Sequence, residues 1–212
     1  IFGIDLVGGS TSSTALLWIA ALTIIGASLI ALYQDNLKRR LAYSTISQLS
    51  YVVLGAVLAN AASISGAAVH IATHAVGKIT LFFCAGAILV AAHKTRVSEL
   101  DGLGRQMPLT MGAFLIASLS IAGLPPMGGL WGKWYLALGA LDAGYGILVG
   151  VLMLSTLLNI AYLLPIPLRA FFGQSSKTAV QFSEAPLPCL VAIGITTAAC
   201  VTLFFFPGPV YQ

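Results

Sequence analysis

The most informative feature of this 212-residue sequence is its shortage of charge. Only 8% of the residues are Asp, Glu, Lys or Arg, whereas 58% are hydrophobic. A typical soluble domain carries about 25% charged residues, so the composition excludes an ordinary water-soluble fold. The sequence also lacks the short alternating segments that mark an outer-membrane β-barrel. It therefore predicts an all-α, polytopic transmembrane protein.

Motifs for cofactors, metals and nucleic acids are missing as well. The three cysteines, Cys84, Cys189 and Cys200, lie in apolar runs without the spacing of metal ligands, so we interpret them as packing residues. No flavin or quinone motif is present, and no cofactor is expected. The net charge of +4 does not indicate nucleic-acid binding, because the basic residues form short clusters between apolar spans.

Six apolar stretches predict membrane spans, and one of them is too long to be a single simple helix. A spanning helix needs about 20 apolar residues, and residues 108–141 exceed that length. The basic clusters all fall on one side of the membrane only if this stretch crosses once. Since Lys and Arg in short loops set orientation, we predict that this stretch crosses once. The protein then lies in the plasma or inner membrane with both chain ends on the outer side. The predicted spans are 12–33, 37–59, 64–92, 108–141, 144–169 and 187–206, and the basic clusters are 38–40, 94–105 and 169–177.

The long fourth stretch is interrupted in its middle by glycines and tandem prolines. Prolines remove backbone donors, so a regular helix should break here. Unpaired backbone groups inside a membrane are tolerated only where they are buried in protein or line a wet cavity, and transporters use such breaks as ion sites. The residues of the predicted break are Gly123, Pro125, Pro126, Gly128 and Gly129.

Titratable residues inside the spans are the candidate functional residues. His70, His74 and Lys78 are spaced i, i+4, i+8 and therefore share one helix face. A central Lys in hydrocarbon costs about 2.5–3.5 kcal/mol, so this row must face protein or water. We interpret it as a proton relay; the alternative is a packing cluster in which each His bonds to a neighbouring helix. Lys133, just past the break, is the fourth candidate, and its alternative is a lysine that snorkels to the surface.

Further polar residues accompany this row and are accessory candidates. The first half of the second span is unusually polar for a membrane helix. Small hydroxyl residues pack membrane helices closely, and they could equally hold water for a proton path; both interpretations stay open. The accessory candidates are Lys38, Ser44, Ser47, Gln48 and Asn159.

Four motifs in the same order resemble the antiporter-like subunits of the complex I and Mrp superfamily. They are LKRRLAYSTISQ at 37–48, the His70/His74/Lys78 row, SELDGLGR at 98–105 and GLPPMGG at 123–129. The variant WGKWYLALGALDAG at 131–144 is most similar to the D-type subunits of multisubunit Mrp sodium/proton antiporters.

The resemblance implies a fold of about fourteen helices with two inverted five-helix repeats, of which this chain looks like the second repeat plus one helix. Residues 1–212 are then a single proton-conducting domain, incomplete at its N-terminus. The equivalents of His70, His74 and Lys78 form the central hydrophilic axis of the family, and that of Lys133 is its terminal proton carrier. Some members have Glu at the Lys133 position, and Lys38 matches a basic position at a helix entrance.

From these observations we expect a proton-translocating membrane subunit of a monovalent cation (Na⁺)/proton antiporter, not catalytic by itself. Its expected partners are other membrane subunits of a hetero-oligomeric assembly, protons, Na⁺ and the lipid bilayer. The alternatives are a proton-pumping subunit of respiratory complex I or of a membrane-bound hydrogenase, an unrelated transporter whose broken helix binds a solute, and a scaffold whose charges merely pair.

Overall fold

The computed structural model describes residues 11–173 and 184–206, and in this part of the chain it contains helices and no strand. The all-α, polytopic fold predicted from the sequence is confirmed. The α-helices are α1 (Thr11–Tyr33), α2 (Leu37–Leu58), α3 (Ala61–Ala92), α4 (Pro108–Ala122), α5 (Gly129–Asp142), α6 (Gly146–Leu163), α7 (Pro165–Phe172) and α8 (Leu187–Phe205), with short 3-10 helices at Val97–Glu99 and Leu103–Arg105.

Among the described residues, five helical segments are long and apolar enough to cross a membrane by themselves. Helices α4 and α5, of 15 and 14 residues, are each only about 22 Å long, which is less than the roughly 30 Å of a hydrocarbon core. They are the two halves of the predicted discontinuous helix. The five segments are Ser12–Tyr33, Leu37–Leu58, Ala61–Ala92, Gly146–Phe172 and Leu187–Phe205.

The two half-helices together make one crossing of the membrane, because both run antiparallel to α3. Near the end of α4, Ile121 packs against Gly77 in the middle of α3. Near the end of α5, Gly139 packs against Ser63 in the first turn of α3. From α4 to α5 the contacts therefore move steadily toward the N-terminus of α3, so the chain does not turn back between the two half-helices. This agrees with the single crossing predicted from the basic clusters.

The start of α3 is held to the end of α5 by one side chain. Asn60 caps α3 by accepting a hydrogen bond from the Ser63 N–H at 2.8 Å, while its own Nδ2 donates to the Gly139 carbonyl at 2.7 Å. The cap satisfies a backbone donor that has no partner inside the helix. The same residue therefore fixes both the beginning of α3 and its register against α5.

The described basic clusters gather at one end of the helix bundle. The loop after α3 lies against the turn between α1 and α2, where the Leu37 N–H donates to the Thr95 carbonyl at 2.9 Å. Arg169 in α7 forms a salt bridge of 2.8 Å with Asp101 in the same loop. The clusters at 38–40 and 94–105 and the Arg169 end of the third therefore share a side, as predicted; Lys177 lies outside the described residues.

Two apolar clusters flank a polar middle section of α3. Leu81 of α3 and Phe114 of α4 are buried in one cluster, while Ala67 of α3 and Leu136 of α5 are buried in the other. Residues 70–78 lie between them, at the level where α4 ends and α5 begins. The polar row is thus placed by packing at the centre of the bundle.

Candidate functional site

The two histidines of α3 stack in a row with an aromatic ring of α2. The ring centroids of Tyr51 and His70 are 5.2 Å apart, and those of His70 and His74 are 5.7 Å apart, with interplanar angles of 14° and 23°. The predicted common helix face is therefore observed. Helix α5 lies directly against this row, because the backbone of Gly132 approaches the backbone of His70 so closely that an added Cβ would lie 2.8 Å from the His70 Cα.

The histidines are buried but lack the partners that a packing cluster would need. His70 is 3% exposed and His74 6%. Among the described residues, neither ring nitrogen of His70 has a hydrogen-bond partner, and neither does the Nε2 of His74. Buried polar atoms are nearly always hydrogen-bonded when their role is structural. Free ring nitrogens in a buried row instead suit groups that accept and release protons.

Lys78 reaches from α3 to the polar half of α2. Its Nζ donates to the Ser44 Oγ at 2.7 Å and to the Leu41 carbonyl at 3.1 Å. The side chain is buried, and no carboxylate contacts it among the residues the structure describes. A buried ammonium held by neutral acceptors alone is costly to keep charged. This arrangement favours a group that exchanges its proton over a permanently paired charge.

Lys133 lies at the break and points into the protein. Its Nζ donates to the Ala122 carbonyl at 3.0 Å and to the Thr156 Oγ1 at 3.3 Å, and it lies 5.5 Å from the centroid of the Tyr51 ring. Ala122 is the last residue of α4, so its carbonyl has no partner within that helix and belongs to the negative end of the helix dipole. The break therefore supplies an acceptor that an unbroken helix could not offer.

The break occurs where the sequence predicts it. Helix α4 ends at Ala122 and is capped by Gly123 at φ +78°, and α5 begins at Gly129, so Pro125 and Pro126 lie between the two halves. Glycine is required at 129, because a Cβ there would overlap the carbonyl oxygen of Ser120.

Helix α8 covers the break from one side. The Gly128 N–H donates to the Cys200 carbonyl at 3.1 Å, and the Trp131 Nε1 donates to the Phe204 carbonyl at 3.1 Å. These two bonds satisfy a backbone donor and an indole donor at the break, which would otherwise lack partners inside a membrane.

Four of the five accessory candidates lie near the row, on the faces of α2 and α6 that meet. Ser44 contacts Lys78, and Asn159 accepts a hydrogen bond from the Tyr162 hydroxyl. Ser47 lies in a buried group of hydroxyls with Ser28 and Ser155. Both polar atoms of the Gln48 amide are buried without a hydrogen-bond partner in the described part of the chain.

The fifth accessory candidate lies elsewhere. Lys38 is exposed near the start of α2, at the end of the bundle that carries the basic clusters. Its neighbour Arg40 points inward instead, and its guanidinium donates to the Gln34 carbonyl at 2.7 Å and to the Tyr162 carbonyl at 3.1 Å. The basic residue that binds other helices at this entrance is therefore Arg40.

Several side chains that contact the row were not singled out by sequence reasoning. Tyr51 lies between His70 and Lys133, and Thr156 binds Lys133. A signal exists for Tyr51 but not for Thr156, since polar residues recur at helical spacing on two spans. On α2 these residues are Ser44, Ser47, Gln48 and Tyr51, and on α6 they are Ser155, Asn159 and Tyr162.

Comparisons with known proteins identify the family of this chain. The model of the transmembrane family described as NADH:quinone oxidoreductase/Mrp antiporter matches residues 4–159. The N-type subunit of NADH-quinone oxidoreductase from Desulforudis audaxviator is 41% identical over 171 residues, which cover 81% of this chain and 34% of that protein. The D-type subunit of the Na(+)/H(+) antiporter from Alkalihalophilus pseudofirmus is 32% identical over 200 residues, which cover 94% of this chain and 40% of that protein.

The fold of this chain is also found in a solved structure. A chain in the structure of the Mrp complex from Dietzia sp. DQ12-45-1b superposes with a TM-score of 0.88 at 21% identity, covering 97% of this chain and 46% of that one. The present chain spans 34% and 40% of the length of the two curated relatives. The family match covers well over half of the sequence, and the chain belongs to the transmembrane family of NADH:quinone oxidoreductase and Mrp antiporter subunits.

Proposed function

We propose that this chain forms a proton-conducting transmembrane domain of a multisubunit monovalent cation/proton antiporter. The observation that carries the proposal is the buried row of His70 and His74 between two lysines, none of which contacts a carboxylate in the described residues. Intramembrane ionisable residues of this kind mark proton relays in pumps and transporters. Residues 1–212 act as one such domain and work together with further membrane subunits.

The proposed relay runs through four groups. A neutral imidazole accepts a proton at one ring nitrogen and releases one from the other, so His70 and His74 pass a proton without a net change in charge, and each is left in its other tautomer until the ring resets. Lys78 and Lys133 each alternate between ammonium and amine. The proton that leaves the Lys78 ammonium reaches the Lys133 amine through the histidines, and the acceptors around each lysine hold the ammonium when it is present.

A redox-driven pump is the second candidate. It is favoured by the 41% identity to an N-type subunit of NADH-quinone oxidoreductase, whereas the antiporter is favoured by the 32% identity to a D-type antiporter subunit over a longer alignment. The two differ in energy source. In vesicles that carry the assembled complex, an imposed Na⁺ gradient drives proton movement by an antiporter, whereas NADH oxidation drives it in the alternative.

The relay is tested by Lys78→Ala in the assembled complex, with proton uptake into vesicles as the measurement. We expect uptake to be abolished while the subunits still co-purify. Lys94→Ala, which removes a lysine from the loop at the end of α3, is the control and should transport normally. Normal uptake by an assembled Lys78→Ala complex would refute the relay, and loss of assembly would favour a scaffold role for the charges.

A further inference from the structure

Contacts along α2 and α3 fix which residues of the two helices face each other. The helices run antiparallel, because residues 59 and 60 alone separate them. At one end the Lys78 Nζ lies 2.7 Å from the Ser44 Oγ, and at the other the Tyr51 ring stacks on His70. The facing surfaces therefore extend from Ser44 to Tyr51 on α2 and from Lys78 to His70 on α3.

One residue on each surface lies between these two contacts. On α2 it is Gln48, four residues after Ser44, and on α3 it is His74, four residues after His70. Residues at this spacing share one face of a helix. Gln48 is therefore placed opposite His74, at the centre of the row.

The amide of Gln48 forms no hydrogen bond within the part of the chain that the structure describes. The side chain is 0% exposed, and both its Oε1 and its Nε2 lack a partner, as does the Nε2 of His74. A buried polar atom without a partner destabilises a fold. The amide thus contributes no bond to folding, and its polarity suits a partner whose bonding changes during transport.

Polar neighbours of Gln48 on the same helix are bonded. The Ser47 Oγ donates to the Ile24 carbonyl at 2.9 Å, and the Tyr51 hydroxyl donates to the Leu152 carbonyl at 3.3 Å. These bonds tie α2 to α1 and α6. Gln48 differs from both residues, because it faces the histidine row and is left unbonded there.

Proton transfer through an imidazole changes what the ring needs from its partner. When His74 accepts a proton at one ring nitrogen and releases one from the other, its Nε2 changes between donor and acceptor. A fixed partner, such as a backbone carbonyl, would stabilise one tautomer and disfavour the other. A partner that suits both tautomers must offer an acceptor and a donor in turn.

We propose that Gln48 is a positioning residue that binds both tautomers of His74; the proposal rests on the proposed relay function and extends it. The amide carries an acceptor, Oε1, and a donor, the Nε2–H group, at its two ends. Rotation about the soft terminal torsion of glutamine exchanges these ends. The Oε1 accepts from the His74 Nε2–H in one tautomer, and the amide N–H donates to the bare His74 Nε2 in the other, directly or through one water. The amide itself neither gains nor loses a proton.

The role is specific to His74, because the position opposite His70 is already filled. The centroid of the Tyr51 ring lies 5.2 Å from that of His70, and the backbone of Gly132 approaches His70 from α5. Gln48 lies one turn of α2 before Tyr51, beside the ring that separates His70 from Lys78.

Gln48→Met tests the proposal, because it keeps the length of the side chain and deletes both polar atoms. In the assembled complex we expect proton uptake into vesicles to fall on the order of tenfold, as for the loss of one hydrogen bond. The midpoint of thermal unfolding should stay unchanged or rise, since no bond of the fold is lost. Gln48→Asn keeps an amide and should recover part of the uptake. Gln106→Met, the same change in the loop after α3, is the control and should transport normally.

Nitrogen NMR of the histidines gives a readout that a structural role would not change. In the complex labelled with ¹⁵N-histidine, the signals of His74 are those that disappear in His74→Phe. We expect both tautomers of His74 in the wild-type complex and one dominant tautomer in Gln48→Met. A residue that only packs between the helices would leave the tautomer ratio unchanged.

Two results would overturn the role of Gln48: wild-type uptake by an assembled Gln48→Met complex, or the same tautomer ratio with and without the amide. Should Gln48→Met fail to assemble, Gln48→Leu replaces it with the same expectations, and failure of both variants to assemble assigns Gln48 to helix packing. Failure of the relay itself is recognised separately, because an assembled Lys78→Ala complex would then still transport.

Discussion

The ammonium of Lys78 lies 2.7 Å from the hydroxyl oxygen of Ser44. These residues belong to different helices, and their contact joins the titratable face of α3 to the polar face of α2. Ser44 is the one described hydroxyl within hydrogen-bond distance of Lys78, whose other acceptor is a backbone carbonyl. The contact therefore connects the row on α3 to the polar residues of α2.

Ser44→Ala should impair transport more than assembly. A hydrogen bond to a charged group contributes about 1.5–3 kcal/mol, so its loss disfavours the ammonium of Lys78. We expect slower proton uptake into vesicles with normal co-purification of the subunits. Ser50→Ala in the same helix is the control, because Ser50 donates to the Ile46 carbonyl of its own helix. Equal rates for the two variants would show that Ser44 has no special role.

Replacing Lys133 by Arg should abolish transport as thoroughly as replacing it by Ala. A guanidinium keeps its proton at any physiological pH, so it can bind the Ala122 carbonyl but cannot act as a carrier. Lys133→Glu should retain some activity, because a protonated carboxyl can donate to the same carbonyl and then release its proton. Proton uptake into vesicles that carry each assembled variant is the measurement. Uptake at the wild-type rate by Lys133→Arg would mean that Lys133 serves as a fixed charge.

Gly132→Ala should destabilise the contact between α5 and the histidine row. The added Cβ would lie 2.8 Å from the Cα of His70, so one of the two backbones must move. Overpacking of this kind costs typically about 1–3 kcal/mol. We expect a lower midpoint of thermal unfolding for the purified complex in detergent. Gly86→Ala in α3 is the control, since a Cβ there meets nothing within 4 Å, and an equal midpoint for both variants would contradict the tight approach.

The membrane topology can be tested with single cysteines in a background without native cysteines. Arg96→Cys and Lys177→Cys should both react with an impermeant thiol reagent from the cytoplasmic side, because the basic clusters set the orientation. Asp142→Cys, at the end of α5, should react only from the opposite side. Reaction of the Arg96 and Lys177 positions from opposite sides would exclude a single crossing by residues 108–141.

The sequence by itself determined those features that depend on local patterns. Apolar length and scarce charge required membrane helices, and the i, i+4, i+8 spacing placed His70, His74 and Lys78 on one face. Tandem prolines with flanking glycines located the break, because proline has no backbone N–H to donate in a helical hydrogen bond. The distribution of Lys and Arg indicated that the broken helix crosses once.

Only the tertiary structure decided which groups meet across helices. Tyr51 lies between His70 and Lys133 because α2 packs against α3 and α5, and Ser28 meets Ser155 although 127 positions separate them in sequence. No local pattern carries this information, since the helix rotations and registers are set by the packing of whole apolar faces. For the same reason, the hydrogen-bond acceptor of Lys133 could be identified only from the tertiary structure. The Ala122 carbonyl becomes available only because α4 ends there while α5 turns its lysine back toward it.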